Sequence, residues 1–252
     1  MTSTSNRLTA FITHFLLSLV IFSAFILTLL YFWYPEPFFS ASGGWQGLKI
    51  VALIDLVLGP VLTLIVFNKN KPYKELRNDI GVIVALQMSA LLWGIYTVHS
   101  QRPVAAVYWD GIFYTVTAAD IINQDLSLDM LDEYGNNFPL YLFAHHPQTP
   151  EQWQPVLDRM TNDKIPPFQQ TELFTNLEGN YDEIFQHSIN IDEVITSNQE
   201  MHEELDEILL QTGTRLHDNY YISMNSKYRN VILIFDQSNT LIGTISAPFK
   251  ES

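Results

Sequence analysis

Two apolar stretches joined by a short basic connection, Leu48 to Phe67 and Ile80 to Val98, restrict this chain more than any other feature. Each is about 20 residues long, and at ~1.5 Å of rise per residue a helix of that length crosses a hydrocarbon layer of roughly 30 Å. Only Lys49 and Asp55 carry charge in the first stretch, and the second carries none. Between them Lys69, Lys71, Lys74 and Arg77 outnumber Glu75 and Asp79 in a loop of about a dozen residues, which the positive-inside rule assigns to the cytoplasm.

A third span precedes this hairpin. After Arg7 no charge occurs until Glu36, leaving an uncharged run of 28 residues from Leu8 to Pro35. Ser40-Ala41-Ser42 offers a cleavage site for a signal peptide, but an h-region is about 7–15 residues and this run is far longer. Tyr31-Phe32-Trp33-Tyr34, with Trp45 and Tyr96, forms an aromatic belt at one membrane face. The sequence therefore predicts a membrane domain over residues 1–98 with three transmembrane α-helices, at about 8–34, 48–67 and 80–98. The amino terminus lies inside and the remainder of the chain outside.

The remainder, residues 99–252, is an acidic domain. It holds seven Lys and Arg against twenty-three Asp and Glu, whereas residues 1–98 hold six against four. No Lys or Arg occurs between Lys164 and Arg215, so nucleic acid is excluded as a partner. The absence of cysteine excludes disulfides, thiol catalysis and cysteine-ligated metals. Val104 to Trp109 and Ile112 to Thr117 flank Asp110-Gly111, the dipeptide of a type I′ hairpin. A strand near Leu140 to Ala144 follows, then a helix to about Met160, with Thr149 as N-cap, Pro150 at N1 and Gln152 as the reciprocal cap. Thr171 to Gln211 is helical in pattern and ends at Gly213. Three strand-like runs close the chain: Tyr220 to Met224, Val231 to Phe235 and Leu241 to Ser246. The expected fold is an α+β extracytoplasmic domain with a mainly antiparallel sheet.

Asp55 is the sharpest residue of the membrane part. It lies about 18 Å from the cytoplasmic end of its helix, near mid-bilayer, where a carboxyl costs several kcal/mol unless paired, protonated or hydrated. Ser18 and the segment Ser89 to Trp93 fall nearest its level, and His14 with Gln87 forms a second polar layer about 8 Å deeper. Such groups serve as interhelical glue or grip a partner's helix. Gly59-Pro60 frees backbone carbonyls and predicts a kink beyond Asp55. Gly81, Ala85 and Ser89 recur every fourth residue, a small-residue stripe of the kind that packs within one protein. The candidate residues for helix packing or partner binding are Asp55, Gly59, Pro60, Gly81, Ala85, Gln87 and Ser89.

The motif order resembles the TfpX/TfpZ family of type IV pilin accessory proteins, to which the fimbrial assembly protein FimB is related. Gly43-Gly44-Trp45-Gln46-Gly47-Leu48 precedes Asp55-Leu56-Val57-Leu58-Gly59-Pro60 and the apolar run to Phe67. Ala85-Leu86-Gln87, Gly94, Tyr96 and Arg102-Pro103-Val104-Ala105 follow. The resemblance covers about residues 8 to 120. It implies a multi-pass protein of the bacterial inner membrane, with a periplasmic carboxyl-terminal domain, that helps one cognate major pilin reach the surface as pili. Its implied partners are that pilin and the lipid bilayer, with a homo-oligomer or the pilus assembly machinery as further possibilities. Three spans and the lack of a short basic leader argue against the chain being a pilin itself.

No active site comes with the resemblance, and the residues supply none. His145-His146, His187 and Met201-His202-Glu203-Glu204 have no recognised metal-ligand spacing, and no nucleophile-elbow motif occurs. The chain is expected to have no catalytic residues, no cofactor and no metal. The competing readings are a periplasmic sensor, which lacks room for a cytoplasmic output domain, and a membrane-embedded hydrolase.

Overall fold

The computed structural model describes residues 3–68, 71–196 and 198–247. It divides into two compact units, Met1–Phe39 with Gly43–Gln101, and Ser40–Ser42 with Arg102–Ser252.

The first unit holds three helices long and apolar enough to cross a membrane. Helix α1 runs over Ser3–Thr28 and continues as a π-helical stretch, Leu29–Trp33, before Pro35. Helix α2 spans Gly44–Val66 and α3 spans Tyr73–Ser100. The serine and threonine hydroxyls of Ser23, Thr28 and Thr97 fold back on carbonyls four residues earlier, which hides them from an apolar surround. Phe22, Phe25, Leu29, Val51, Leu91 and Val98 form the interhelical core, and the Tyr34 hydroxyl donates to the Val98 carbonyl at 3.0 Å. Gly47 lets Val98 come close, since a Cβ there would stand 2.9 Å from its methyl group. Large apolar side chains also cover the outside, from Leu16 and Val20 to Leu53, Ile65, Leu86 and Leu92. Tyr31, Phe32, Trp45 and Tyr96 of the aromatic belt are exposed as well.

Two expected boundaries move. Helix α2 begins at Gly44 rather than Leu48, and α3 begins at Tyr73 rather than Ile80. Lys74, Glu75, Arg77 and Asp79 ride on the first two turns of α3 instead of lying in a loop, and Lys71 pairs with Asp79 at 2.5 Å. Charged residues are compatible with helix, so the change from apolar to charged sequence does not end one. Lys69 lies outside the described residues.

The second unit is built on one mixed seven-stranded sheet of order β4-β3-β1-β2-β5-β6-β7. Strands β1 (Pro103–Trp109) and β2 (Ile112–Thr117) form the expected hairpin, with Asp110 and Gly111 both at positive φ. A short helix, α4 (Ala118–Ile122), follows, capped reciprocally by Thr117 and Asp120. Strand β3 (Leu140–Ala144) pairs parallel with β1, and β5 (Tyr220–Asn225) pairs parallel with β2. The four remaining pairings, the β1–β2 hairpin and three that involve β4 (Phe174–Asn176), β6 (Asn230–Phe235) and β7 (Leu241–Ala247), are antiparallel, so the sheet is mixed, with antiparallel pairs in the majority. Helix α5 (Pro150–Asp158) starts at the predicted Thr149–Gln152 capping box.

The acidic stretch from Thr171 to Gln211 is not one helical run. Edge strand β4 interrupts it, followed by α6 (Tyr181–Gln186), α7 (Ile191–Thr196) and α8 (Gln199–Thr212). Gly213 closes α8 at φ 70°, as the sequence predicts. Helices α7 and α8 place Ile191, Ile195, Met201 and Leu205 against Tyr221, Ile232, Ile234 and Ile245, and a separate core gathers Val104, Val107, Val116, Ile121, Leu131 and Leu142. Ser40–Ser42 belong to this unit: the Tyr228 N–H donates to the Ala41 carbonyl at 2.9 Å, and the Ser42 and Ser226 hydroxyls are 3.2 Å apart.

Candidate functional site

Polar side chains from all three helices converge inside the first unit. Asp55 is 2% exposed, and Ser18 and Thr63 are buried with it. Gln87 of α3 is the hub. Its amide nitrogen donates to Asp55 Oδ1 at 3.0 Å and lies 3.3 Å from Ser18 Oγ and 3.4 Å from the Asp55 carbonyl. Its amide oxygen accepts from His14 Nε2 at 2.9 Å. The other ring nitrogen of His14 is 2.6 Å from Thr63 Oγ1, and Thr63 donates to the Gly59 carbonyl at 3.1 Å. Asp55 Oδ2 has no hydrogen-bond partner among the described residues.

The local sequence explains the arrangement. Pro60 has no N–H for the carbonyl four residues back, and α2 widens ahead of it into a π-helical turn, Leu53–Leu58. Gly59 closes that turn by donating to Ile54, five residues back. Gly59 also makes room for the hub, because a Cβ there would fall 2.3 Å from Gln87 Oε1 and 2.6 Å from its Cδ and Nε2. The two polar layers read from helical rise are therefore one network. An extended glutamine side chain bridges the axial offset between Asp55 and His14.

The other candidates divide. Gly81, Ala85 and Ser89 are all exposed, a Cβ on Gly81 would meet nothing within 4 Å, and the Ser89 hydroxyl folds back on the Ala85 carbonyl at 2.8 Å. The stripe does not pack within this chain, contrary to expectation. Close helix approach is made instead at Gly47 and Gly59, while a Cβ on Gly94 would make only ordinary contact with Val51 at 3.6 Å. Ser89 to Trp93, placed by depth beside Asp55, contributes no hydrogen bond to the network; Trp93 faces outward. Thr63 was not singled out from the sequence, although a hydroxyl eight residues beyond Asp55 in an aliphatic helix is a usable signal. An apolar groove beside the network is lined by Ile54, Leu58, Leu62, Ile83, Leu86 and Gln87.

In the second unit the histidines disperse. The Tyr108 hydroxyl lies 2.8 Å from His187 Nδ1, His146 stacks on Trp109, and His202 faces Asp206 at 3.3 Å. Among the described residues no three His, Asp or Glu side chains are grouped to hold a metal ion. Burial, and then the Glu183 charge, pushes the Tyr108 hydroxyl up to about 12. This arrangement holds a phenol neutral and supplies no nucleophile.

Among known proteins, the chain is 32% identical over 146 residues to the fimbrial assembly protein of serogroup E1 of Dichelobacter nodosus. It is 33% identical over 147 residues to that of serogroup I. Each alignment covers 58% of this chain and 55% of the relative, so the chain spans about half the length of these curated relatives. With the fimbrial assembly protein of serogroups C1 and C2 it shares 35% identity over 114 residues, 45% of this chain and 86% of the relative. No family model and no solved structure matches. Sharing its sequence with proteins named for fimbrial assembly, one of them over most of that protein's length, the chain belongs to the fimbrial assembly protein family of type IV pili.

Proposed function

We propose that this protein resides in the bacterial inner membrane, with its amino terminus in the cytoplasm and its acidic unit in the periplasm. There it binds and stabilises one cognate major pilin for assembly into type IV pili. The observation that carries the reading is the outward stripe Gly81, Ala85 and Ser89. Small residues on an apolar helix, left uncovered by the chain's own helices, suit close approach by another transmembrane helix. In this reading the His14–Gln87–Asp55–Thr63 network fixes the spacing of α1, α2 and α3, so that the stripe and the neighbouring groove keep their shape. Gly59 and Pro60 act through that network. The relatives' names describe assembly rather than catalysis, which fits a binding role.

The test is photo-crosslinking in intact cells, with a photoreactive residue placed singly from Gly81 to Gly94. Adducts with the major pilin are expected at positions 81, 85 and 89 and not at the buried Ile83 and Leu91. Adducts at none of the outward positions would refute pilin contact. A reporter active only outside the cytoplasm, fused after Ser252 or inserted near Asn70, checks orientation: activity at the first and none at the second is expected.

A further inference from the structure

Strands β1 and β3 run parallel, with Tyr108 opposite Phe143, so Trp109 and the His145-His146 pair emerge at the same end of the sheet. The His146 ring stacks on Trp109 with centroids 4.0 Å apart. Trp153 of α5 completes the group, 6.2 Å from Trp109 and 6.3 Å from His146. From Trp153 the surface continues along the helix. Leu157, four residues on, shares the Trp153 face of α5, and Met160 follows on the π-helical turn Arg159–Asp163 that continues it; the two are 47% and 50% exposed, while Val156 turns into the core.

This platform is firmly mounted. The reciprocal Thr149–Gln152 cap fixes the start of α5, and the buried Gln170 amide donates to the Val156 and Ile165 carbonyls at 3.1 and 2.9 Å. Tryptophan and methionine on a rigid support are the side chains that anchor protein interfaces. The segments that carry them also carry Asp110, Glu151, Asp158 and Asp163. The nearby cations are engaged elsewhere: Arg159 is held by Glu172 and Gln124, and Lys164 donates to the Thr161 carbonyl at 2.7 Å.

We propose that the Trp109–His146–Trp153–Leu157–Met160 platform is the face on which the acidic unit receives a protein partner. The partner's matching surface presents apolar side chains bordered by Lys and Arg. Acidic residues on those same segments, in a domain with 23 acidic against seven basic residues, disfavour an anionic lipid surface and select a basic protein one. The inference rests on the pilin reading above, and the partner is then the pilin's head outside the membrane.

The test is capture of the major pilin from cells by the tagged full-length chain, with thermal melting recorded for every variant. Leu157→Lys combined with Met160→Lys is expected to lower captured pilin at least tenfold at unchanged melting. Leu157→Glu with Met160→Glu should lower it less, because acid preserves attraction to a basic rim. Leu210→Lys, on α8 and 84% exposed, should change nothing. Capture by the double lysine variant equal to wild type overturns the platform while leaving the pilin reading intact, and a larger loss with glutamate overturns the basic partner. Failure of the wild-type chain to capture pilin at all removes the pilin reading and this inference together.

Discussion

The buried polar groups of the two units are used in different ways. In the helical unit they bind one another: Gln87 holds Asp55 and His14, and His14 meets Thr63. In the sheet unit most serve backbone, Tyr108 with His187 being an exception. Gln170 donates to Val156 and Ile165, Tyr221 to Leu216, Tyr134 to Phe174, and Asn219 to Arg215. The difference follows from what each backbone lacks. Long helices satisfy most of their own carbonyls, so the buried polar side chains there turn chiefly to another helix, with Thr63 also donating to the Gly59 carbonyl of its own. Irregular loops leave carbonyls open, and side chains fill them. Polar residues thus set helix-to-helix spacing in one unit and loop shape in the other, while apolar packing supplies most of the cohesion of the sheet.

The sharpest break in this contrast should come from the sheet core. Phe113 is fully buried and touches the Tyr108, Tyr141 and Phe235 rings, so Phe113→Ala should cost about 3–5 kcal/mol of domain stability. Denaturant melts of the full chain in detergent should show the loss. A second transition that stays in place would show the helical unit to be independently held; simultaneous loss would erase the distinction.

Next is Gly59→Leu, which must expel Gln87 from the network and leave Asp55 without its bond, at about 1–3 kcal/mol. Combining it with Gln87→Ala should cost less than the sum of the two, because both remove the same contact. Additive losses would mean that Gly59 and Gln87 act separately.

Asp55→Asn keeps size and hydrogen-bonding capacity and should retain most piliation. Asp55→Leu should leave normal protein in the membrane and several-fold fewer pili. Two inactive variants at normal protein levels would point to a role for the charge itself, and two active ones would make the network dispensable.

A smaller effect belongs to Tyr108. Its hydroxyl is raised from about 10 when unfolded to about 12 when folded, so between those values the unfolded chain has lost a proton that the native one keeps. The contribution is complete below pH 10 and declines as pH rises toward 12. Melting of the sheet unit should therefore fall over that range, less steeply in Tyr108→Phe. The smallest change is expected for Gly81→Ala: removing a helical glycine where a methyl meets nothing should stabilise α3 by at most about 1 kcal/mol. Any loss of piliation there would then come from the partner's side of the stripe.

Local chemistry was readable in the sequence. Asp110-Gly111, the Thr149–Gln152 cap and Gly213 each specify their geometry through neighbouring residues, and all three stand as expected. Apolar length likewise gave the three helices. What escaped depends on residues far apart in the chain. Strand β4 is three residues long and exists through its pairing with β3. The parallel pairings β1–β3 and β2–β5 leave no mark on period or turn type. In the helical unit, counting rise along straight helices gave backbone levels but not the reach of the Gln87 side chain.

The π turn has a further consequence, best put in terms of phase. Val51, Asp55, Gly59 and Thr63 are all buried and recur at intervals of four. In an unbroken α-helix each residue turns by about 100°, so twelve residues would leave Thr63 about 120° away from Val51. Because a π turn carries one surplus residue, the offset shrinks to about 20°, and the two ends of the row share a face. Straightening the turn into an ordinary α-helix with every residue kept would swing Thr63 about 100° out of register with His14, whereas deleting a single residue between Leu53 and Leu58 would restore an ordinary helix and leave Thr63 on the same face. The spacing of four that binds this helix to its neighbours is the written trace of the wider turn.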